Sequence, residues 1–212
     1  MRELNYESFA ETLEEKQTHQ RPLSGQIELT YRCNLHCIHC YCKESEDPRN
    51  ELTTKAWKEI LDELHREGCL WITLTGGEPL LRDDFMEIYR YARRRGFLIS
   101  LFTNGTLFKG EVLDGLRTSP PFSIEISMYG ATEETHEAIT QVHGSFRKTM
   151  EAIHQLLSEK MPLILKTVGL KQNRHEIFAL KSMAAHLLGK NKFKFDSFIT
   201  ARLNGDKAPC RC

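Results

Sequence analysis

Gln26-Ile27-Glu28-Leu29-Thr30-Tyr31-Arg32-Cys33-Asn34-Leu35-His36-Cys37-Ile38-His39-Cys40-Tyr41-Cys42 is the stretch on which the reading of this chain turns. Gln26 to Thr30 alternates polar and apolar residues with a period of two, the signature of a strand with one face buried. Four cysteines then crowd into ten residues, three of them (Cys33, Cys37, Cys40) with the spacing C-x3-C-x2-C. A short loop carrying three soft thiolates directly after a strand can wrap one cuboidal iron–sulfur cluster, holding three irons and leaving the fourth open. The competing reading is a structural zinc site built from Cys33, Cys37, Cys40 and Cys42, or from a mixture with His36 or His39. Zinc sites usually staple two separated ligand pairs, and the only distant pair here is Cys210 and Cys212.

Outward from that loop the chain alternates strand and helix. Thr53 opens a helix with Trp57, Ile60, Leu61 and Leu64 on one face, and Gly68 closes it. Trp71 to Thr75 reads as a second strand, running into Gly76-Gly77-Glu78-Pro79; Asp83 is placed to cap the helix that ends at Gly96. Phe97 to Phe102 is a third strand followed by Thr103-Asn104-Gly105, and after a short helix Pro120-Pro121 breaks the chain. Phe122 to Met128 makes a fourth strand, Pro162 to Leu170 a fifth and Phe193 to Ile199 a sixth, with a polar helix over 132–140, a second carrying Phe146, Met150, Ile153, Leu156 and Leu157, and a third carrying Ile177, Leu180, Ala184 and Leu187. Such a βα alternation predicts an α/β fold with parallel strands, either an open doubly wound sheet or a barrel-like closure. In both, ligands bind at the carboxyl ends of the strands.

The rest of the composition narrows the classes. The chain has 212 residues, 40% hydrophobic and 27% charged, ample for one folded domain and far from a disordered composition. Lys plus Arg (29) balances Asp plus Glu (29), so no global field advertises a nucleic-acid or anionic-membrane partner. An acid-bearing N-terminus without an apolar core, and seven cysteines in a chain with a full hydrophobic core, point away from a secreted disulfide scaffold. We therefore expect a cytoplasmic protein without membrane attachment, organised as an N-terminal arm (1–24), a core domain (25–205) and a short terminal stretch (206–212).

With these residues in place, the chain resembles the radical S-adenosylmethionine (radical SAM) superfamily, which binds a [4Fe–4S] cluster through C-x3-C-x-aromatic-C. Gly76-Gly77-Glu78-Pro79 is similar to the segment whose backbone receives the SAM amino group, glycines permitting close approach. Thr103, Asn104 and Ser127 match positions where the family lines its SAM pocket, with Ser127 near the ribose. The resemblance covers about Gln26 to Gly205 and implies a partial (β/α)6 TIM-like barrel. Cys33, Cys37 and Cys40 are then the cluster ligands, and His39 takes the aromatic position near adenine. Strand alternation leaves two directions open for Lys166 and Glu125, inward toward substrate or the SAM carboxylate, or outward to solvent. The wording of the cysteine loop, Gly144-Ser145-Phe146 and Lys171-Gln172-Asn173 resemble the SPASM/twitch branch, which includes peptide maturases and haem-pathway enzymes. Two departures are visible: Tyr129 stands where the branch often has an acid, and no Arg precedes Gly144. The implied activity is reductive cleavage of SAM and hydrogen abstraction, with flavodoxin or ferredoxin as electron donor. The implied substrate is a peptide or protein side chain, or alternatively a tetrapyrrole or other small cofactor precursor. Residues 206–212 are expected to begin a truncated C-terminal region. Cys42 and Cys69 are expected to be, respectively, a bystander thiol and a buried small hydrophobe; the Arg93-Arg94-Arg95 run is expected to complement a helix dipole, and His136, His143 and His154 to be exposed.

Overall fold

A computed structural model describes residues 22–42 and 51–212, so most of the expected N-terminal arm lies outside the described residues. Its elements run in the order β1 (Ser24–Thr30), α1 (Thr54–Arg66), β2 (Trp71–Gly76), a 3-10 turn (Pro79–Leu81), α2 (Phe85–Arg94), β3 (Leu98–Thr103), α3 (Glu111–Thr118) and β4 (Ser123–Ser127). Then follow α4 (Glu133–Thr140), α5 (Ser145–Ser158), β5 (Leu163–Val168), α6 (Ile177–Leu188), β6 (Phe193–Asp196) and a second 3-10 turn (Ala208–Arg211).

All six strands pair in parallel and in chain order, β1-β2-β3-β4-β5-β6. That order decides between the two architectures left open by periodicity. A doubly wound sheet reverses its strand order partway and puts helices on both faces; a sequential order keeps every crossover turning the same way and the helices on one face. This sheet is a barrel wall that stops at six strands, with β1 and β6 at its two edges.

Strand alternation divides the two faces cleanly. Ile27, Leu29, Ile72, Leu74, Ile99, Leu101, Ile124, Ile126, Leu163 and Leu165 are buried and pack in one core with Trp57, Leu61, Phe85, Ile88, Tyr89, Leu116, Ile153 and Leu156 from the helices. The intervening residues, among them Gln26, Glu28, Thr75, Phe102, Glu125, Ser127 and Lys166, line a cavity on the opposite face. Parallel strands are ordinarily apolar on both faces; the polar inner row here marks the face that meets ligand.

Local signals act largely as read. Thr53 caps α1 by accepting from the Ala56 amide at 3.2 Å, and Gly68 and Gly96 leave their helices with φ of 78° and 89°, where a side chain is disfavoured. Cys69 is buried, its thiol directed at the carbonyls of Leu23 and Trp71. Three readings are corrected. Asp83 caps nothing: it is exposed, α2 starts at Phe85 with Asp84 in the cap position, and the Asp84 carboxylate is drawn away by Arg82 (2.8 Å) and Thr54 (2.5 Å). His136 is buried rather than exposed, wedged between the rings of Tyr129 and Phe146 at 5.9 and 5.7 Å. The sixth strand ends at Asp196, three residues short of the sequence expectation.

Candidate functional site

The cysteine loop hangs over the carboxyl end of the sheet, and three sets of hydrogen bonds fix it there. At its root, Gly77 N donates to Thr30 O at 2.7 Å and Glu78 N to Arg32 O at 2.8 Å, zipping the end of β2 to the chain that enters the loop. A Cβ on Gly77 would lie 2.4 Å from the Arg32 carbonyl oxygen, so only glycine permits this approach. At its middle, His36 N and Ile38 N donate to the carbonyls of Thr140 and Ile139, the last residues of α4. The start of α4 is in turn held by Glu176, whose carboxylate accepts from Ala131 N, Thr132 N, Thr132 Oγ1 and Thr135 Oγ1. Beneath the root, buried Arg82 bridges Glu51, Asp84 and the carbonyls of Leu29 and Leu52, and Arg32 joins the same Glu51. Apart from the Arg82–Asp84 pair, these ties join residues far apart in sequence, which is why the sequence does not announce Arg82, Glu51 or Glu176.

Below the loop opens a cavity of about 540 Å³, within the range of small-molecule sites. Cys33, Cys37, Cys40 and Cys42 all line it, together with His39, Gly76, Gly77, Thr103, Asn104, Ser127 and Lys166. Two members of the expected set stand apart: Glu78 and Pro79 are buried under the wall rather than on it. The Glu78 carboxylate accepts from Leu80 N, Thr103 Oγ1 and Asn104 N, binding the turn after β2 to the turn after β3. Burial pushes it up to about 7 against the opposing pull of those donors. Asn104 is on the wall, but its amide is already engaged with Asn34, Thr106 and the Cys33 sulfur.

The aromatic end of the cavity is formed by His39 and Tyr129, whose rings meet edge to face at 4.7 Å. Burial lowers His39 to about 4, so its ring is neutral at physiological pH, and its Nδ1 is buried with no hydrogen-bond partner. Burial also pushes the Tyr129 hydroxyl well above its ordinary value, with Cys37, Cys40 and Cys33 adding to the effect. His136 backs this pair and accepts from Tyr129 N at 3.3 Å, a support that the sequence conceals because the His reads as part of a polar helix. The cavity wall also carries charges: Lys166 Nζ sits 4.2 Å over the Phe102 ring, and Glu125 is paired with Lys194 through one carboxylate oxygen. The other Glu125 oxygen is buried, with no hydrogen-bond partner among the described residues. Tyr41 donates to Glu28 on the cavity floor.

The donor set fits an iron–sulfur cluster better than a single ion. Tetrahedral zinc at its usual Zn–S distance brings thiolates to about 3.8 Å of one another. The sulfurs of Cys33, Cys37 and Cys40 are not gathered within 4.8 Å; the one such group of metal-capable side chains among the described residues is Glu133, Glu137 and His143. Burial pushes the Cys33 thiol up to about 12, and the neighbouring Cys40 together with burial pushes Cys42 up further, so the thiols stay protonated until a metal displaces the protons. Cys212 returns to the loop and meets the Ile38 carbonyl at 3.6 Å, while Cys210 is exposed and directed at Ile199 O. The Arg93 to Arg95 run ends α2 without reaching the cavity: Arg93 binds the Phe97 carbonyl and Arg95 pairs with Asp62.

Fold and site together define a class: a partial parallel barrel with a thiolate loop at the rim of a small-molecule cavity. The chain belongs to the Radical SAM superfamily, whose profile matches residues 27–184. Members of that family use a [4Fe–4S] cluster and SAM. Among relatives, the chain is 37% identical over 161 residues to AdoMet-dependent heme synthase of Methanosarcina barkeri, covering 76% of this chain and 46% of that protein. It is 30% identical over 167 residues to PqqA peptide cyclase of Bradyrhizobium diazoefficiens, covering 78% of this chain and 44% of that one. The crystal structure of Streptococcus suis SuiB superposes with a TM-score of 0.77 at 18% identity over 98% of this chain and 48% of that chain. The chain thus spans less than half the length of these relatives. No helix among the described residues is long and apolar enough to cross a membrane.

Proposed function

We propose that residues 25–205 are the catalytic core of an enzyme that modifies a peptide or protein side chain by hydrogen-atom abstraction. The observation that carries this reading is that Cys33, Cys37 and Cys40 line the same cavity as Lys166 and as Glu125, one of whose carboxylate oxygens is buried without a hydrogen-bond partner among the described residues. Thiolates for a cofactor and charged groups for its partner or a substrate thereby share one enclosure. When bound, a reduced [4Fe–4S] cluster and SAM would supply one-electron reductive cleavage of the sulfonium, with the cluster as donor and SAM as acceptor, and hydrogen-atom abstraction from the substrate.

The chain's own residues do the positioning. Cys33, Cys37 and Cys40 would hold the cluster through their thiolates, with SAM bound beside it. The backbone of Gly76 and Gly77 receives the amino group, with Glu78 and Pro79 fixing that turn from beneath. Thr103, Asn104 and Ser127 form the ribose side, Lys166 neutralises the SAM carboxylate, and His39 with Tyr129 packs against adenine. Glu125 accepts a hydrogen bond from the substrate with its free oxygen, since a buried acceptor left bare costs about 1–3 kcal/mol and is retained where a ligand uses it. The chain works in the cytoplasm, where a flavodoxin or ferredoxin delivers the electron.

The test is anaerobic reconstitution of the full chain with iron and sulfide, followed by SAM and dithionite. About four irons per chain and formation of 5′-deoxyadenosine are expected, both lost in Cys37→Ala; tight zinc with no iron uptake sinks the reading. A tetrapyrrole substrate is the second reading, favoured by the identity to the heme synthase. Deuterium transfer into 5′-deoxyadenosine from a deuterated precursor peptide encoded beside the gene, against transfer from a deuterated haem precursor, separates the two.

A further inference from the structure

We propose that the side-chain amide of Asn104 sets the reduction potential of the cluster by donating an N–H to the Cys33 sulfur. The inference rests on Cys33 being a cluster ligand. It assigns to Asn104 a positioning and tuning role in addition to its place on the ribose side of the cavity.

Asn104 follows β3 and is buried, and every polar atom it has is engaged. Its backbone N donates to Glu78 at 2.7 Å and its carbonyl accepts from Thr149 Oγ1 at 3.0 Å. Its Oδ1 accepts from both the amide (2.9 Å) and the hydroxyl (2.6 Å) of Thr106. Those two donors fix which way the side-chain amide faces, because a reversed amide would set N–H against N–H. Nδ2 therefore points away from Thr106, and its two hydrogens serve Asn34 Oδ1 at 2.8 Å and Cys33 Sγ at 3.9 Å. Asn34 closes the ring by donating its own Nδ2 to Thr106 Oγ1 at 2.7 Å. The result is a three-residue cycle, cooperative in the sense that each donor polarises the next. It aims one hydrogen at the ligand sulfur from outside the cysteine loop; Leu35 N supplies a second from within it, at 3.4 Å.

A donor on a ligating sulfur stabilises whichever cluster state carries more negative charge, and hydrogen bonds to the sulfurs are among the levers that set cluster potentials. Reduction adds one electron, supplied by dithionite in the assay, and moves no proton from Asn104. Removing the donor therefore makes the cluster harder to reduce. A hydrogen bond to a charged group is worth enough to change the reduced-to-oxidised ratio about tenfold at fixed potential, which for one electron is about 59 mV.

The experiment is an EPR-monitored mediator titration of the full chain, loaded with iron anaerobically, wild type first. Asn104→Leu keeps the side chain's size, adds no charge and removes the donor; its midpoint should lie about 59 mV below wild type at equal iron content. Thr106→Val keeps Asn104 but removes the hydroxyl that orients it, and should shift the midpoint in the same direction by less. A residue that merely holds the loop would lower iron retention and leave the potential of loaded protein where it was. An Asn104→Leu protein that is fully loaded and has an unmoved midpoint overturns the proposal while leaving the enzyme reading intact. Should Asn104→Leu not load, Thr106→Val decides in the same way, and failure of both to load assigns the cycle to loop anchoring and overturns the tuning role. A wild type that takes up no iron overturns the cluster reading itself.

Discussion

Gly77→Ala isolates the joint on which the cysteine loop turns. The φ of Gly77 is not among the positive values in this chain, so the substitution does not strain the backbone dihedral; its whole cost is contact. The new Cβ would stand 2.4 Å from Arg32 O and 2.6 Å from Tyr31 O, both backbone atoms. Real Cβ contacts stay beyond 3.0 Å, so the Arg32 carbonyl must retreat by at least about 0.6 Å. That retreat strains the bonds Gly77 N to Thr30 O and Glu78 N to Arg32 O. Two weakened bonds with their donors left in a buried turn cost about 2–4 kcal/mol. For a chain of this size, about 3 kcal/mol lowers the melting temperature by roughly 6–12 °C. Because Arg32 immediately precedes Cys33, iron uptake should fall as well. Circular-dichroism melting and iron content after reconstitution measure the two effects. Gly25→Ala is the control: its added Cβ meets nothing within 4 Å, and the variant should melt within about 2 °C of wild type. If Gly77→Ala melts with Gly25→Ala and binds a full complement of iron, the close-approach argument is wrong.

Glu78 predicts a pH dependence of stability. It holds its proton more tightly folded (about 7) than unfolded (about 4.5), so its contribution is complete below pH 4.5 and is lost as pH climbs through 7. The difference amounts to roughly 3 kcal/mol. Urea unfolding across pH 4.5 to 8 should show wild type losing that much relative to Glu78→Gln, and parallel profiles would count against it. Glu176→Ala should destabilise by about 2–4 kcal/mol, because it strips one acceptor from four donors at the start of α4. It should also loosen the cysteine loop that hangs from the far end of that helix, read as faster amide exchange at His36 and Ile38; unchanged exchange there would disprove the mechanical link.

What the sequence makes legible is whatever depends on near neighbours. The alternation of Ile72 and Leu74 with Thr73 and Thr75 states both the strand and its two-faced burial, and Thr53, Gly68, Gly96 and Gly189 mark helix ends by local chemistry. Cys33, Cys37 and Cys40 are close enough in sequence that their convergence on one cavity needs only a short loop. The misreadings arise where a distant partner competes. Asp83 reads as the cap of α2, yet Asp84 takes that position, its carboxylate held by Arg82 beside it and by Thr54, 30 residues away. His136 reads as polar helix surface until Gly130, whose added Cβ would meet His136 N at 2.5 Å, is seen to bring the chain close enough to bury it. Gly76 to Pro79 reads as one motif, yet the structure splits it: the glycines face the cavity, while Glu78 is pulled under by Thr103 and Asn104, 25 and 26 residues away.

The unclosed wall has a consequence for how this protein behaves in solution. A barrel of eight strands satisfies every backbone group in its sheet, whereas a six-stranded arc leaves β6 with an edge that pairs only with β5 among the described residues. That edge is short, carries Lys194 and Asp196, and exposes Phe195 beside them. Its brevity and its charges discourage pairing with other chains, while the ring invites it. Salt, by screening the charges and sparing the ring, should therefore lower the concentration at which copies of this chain associate through that edge.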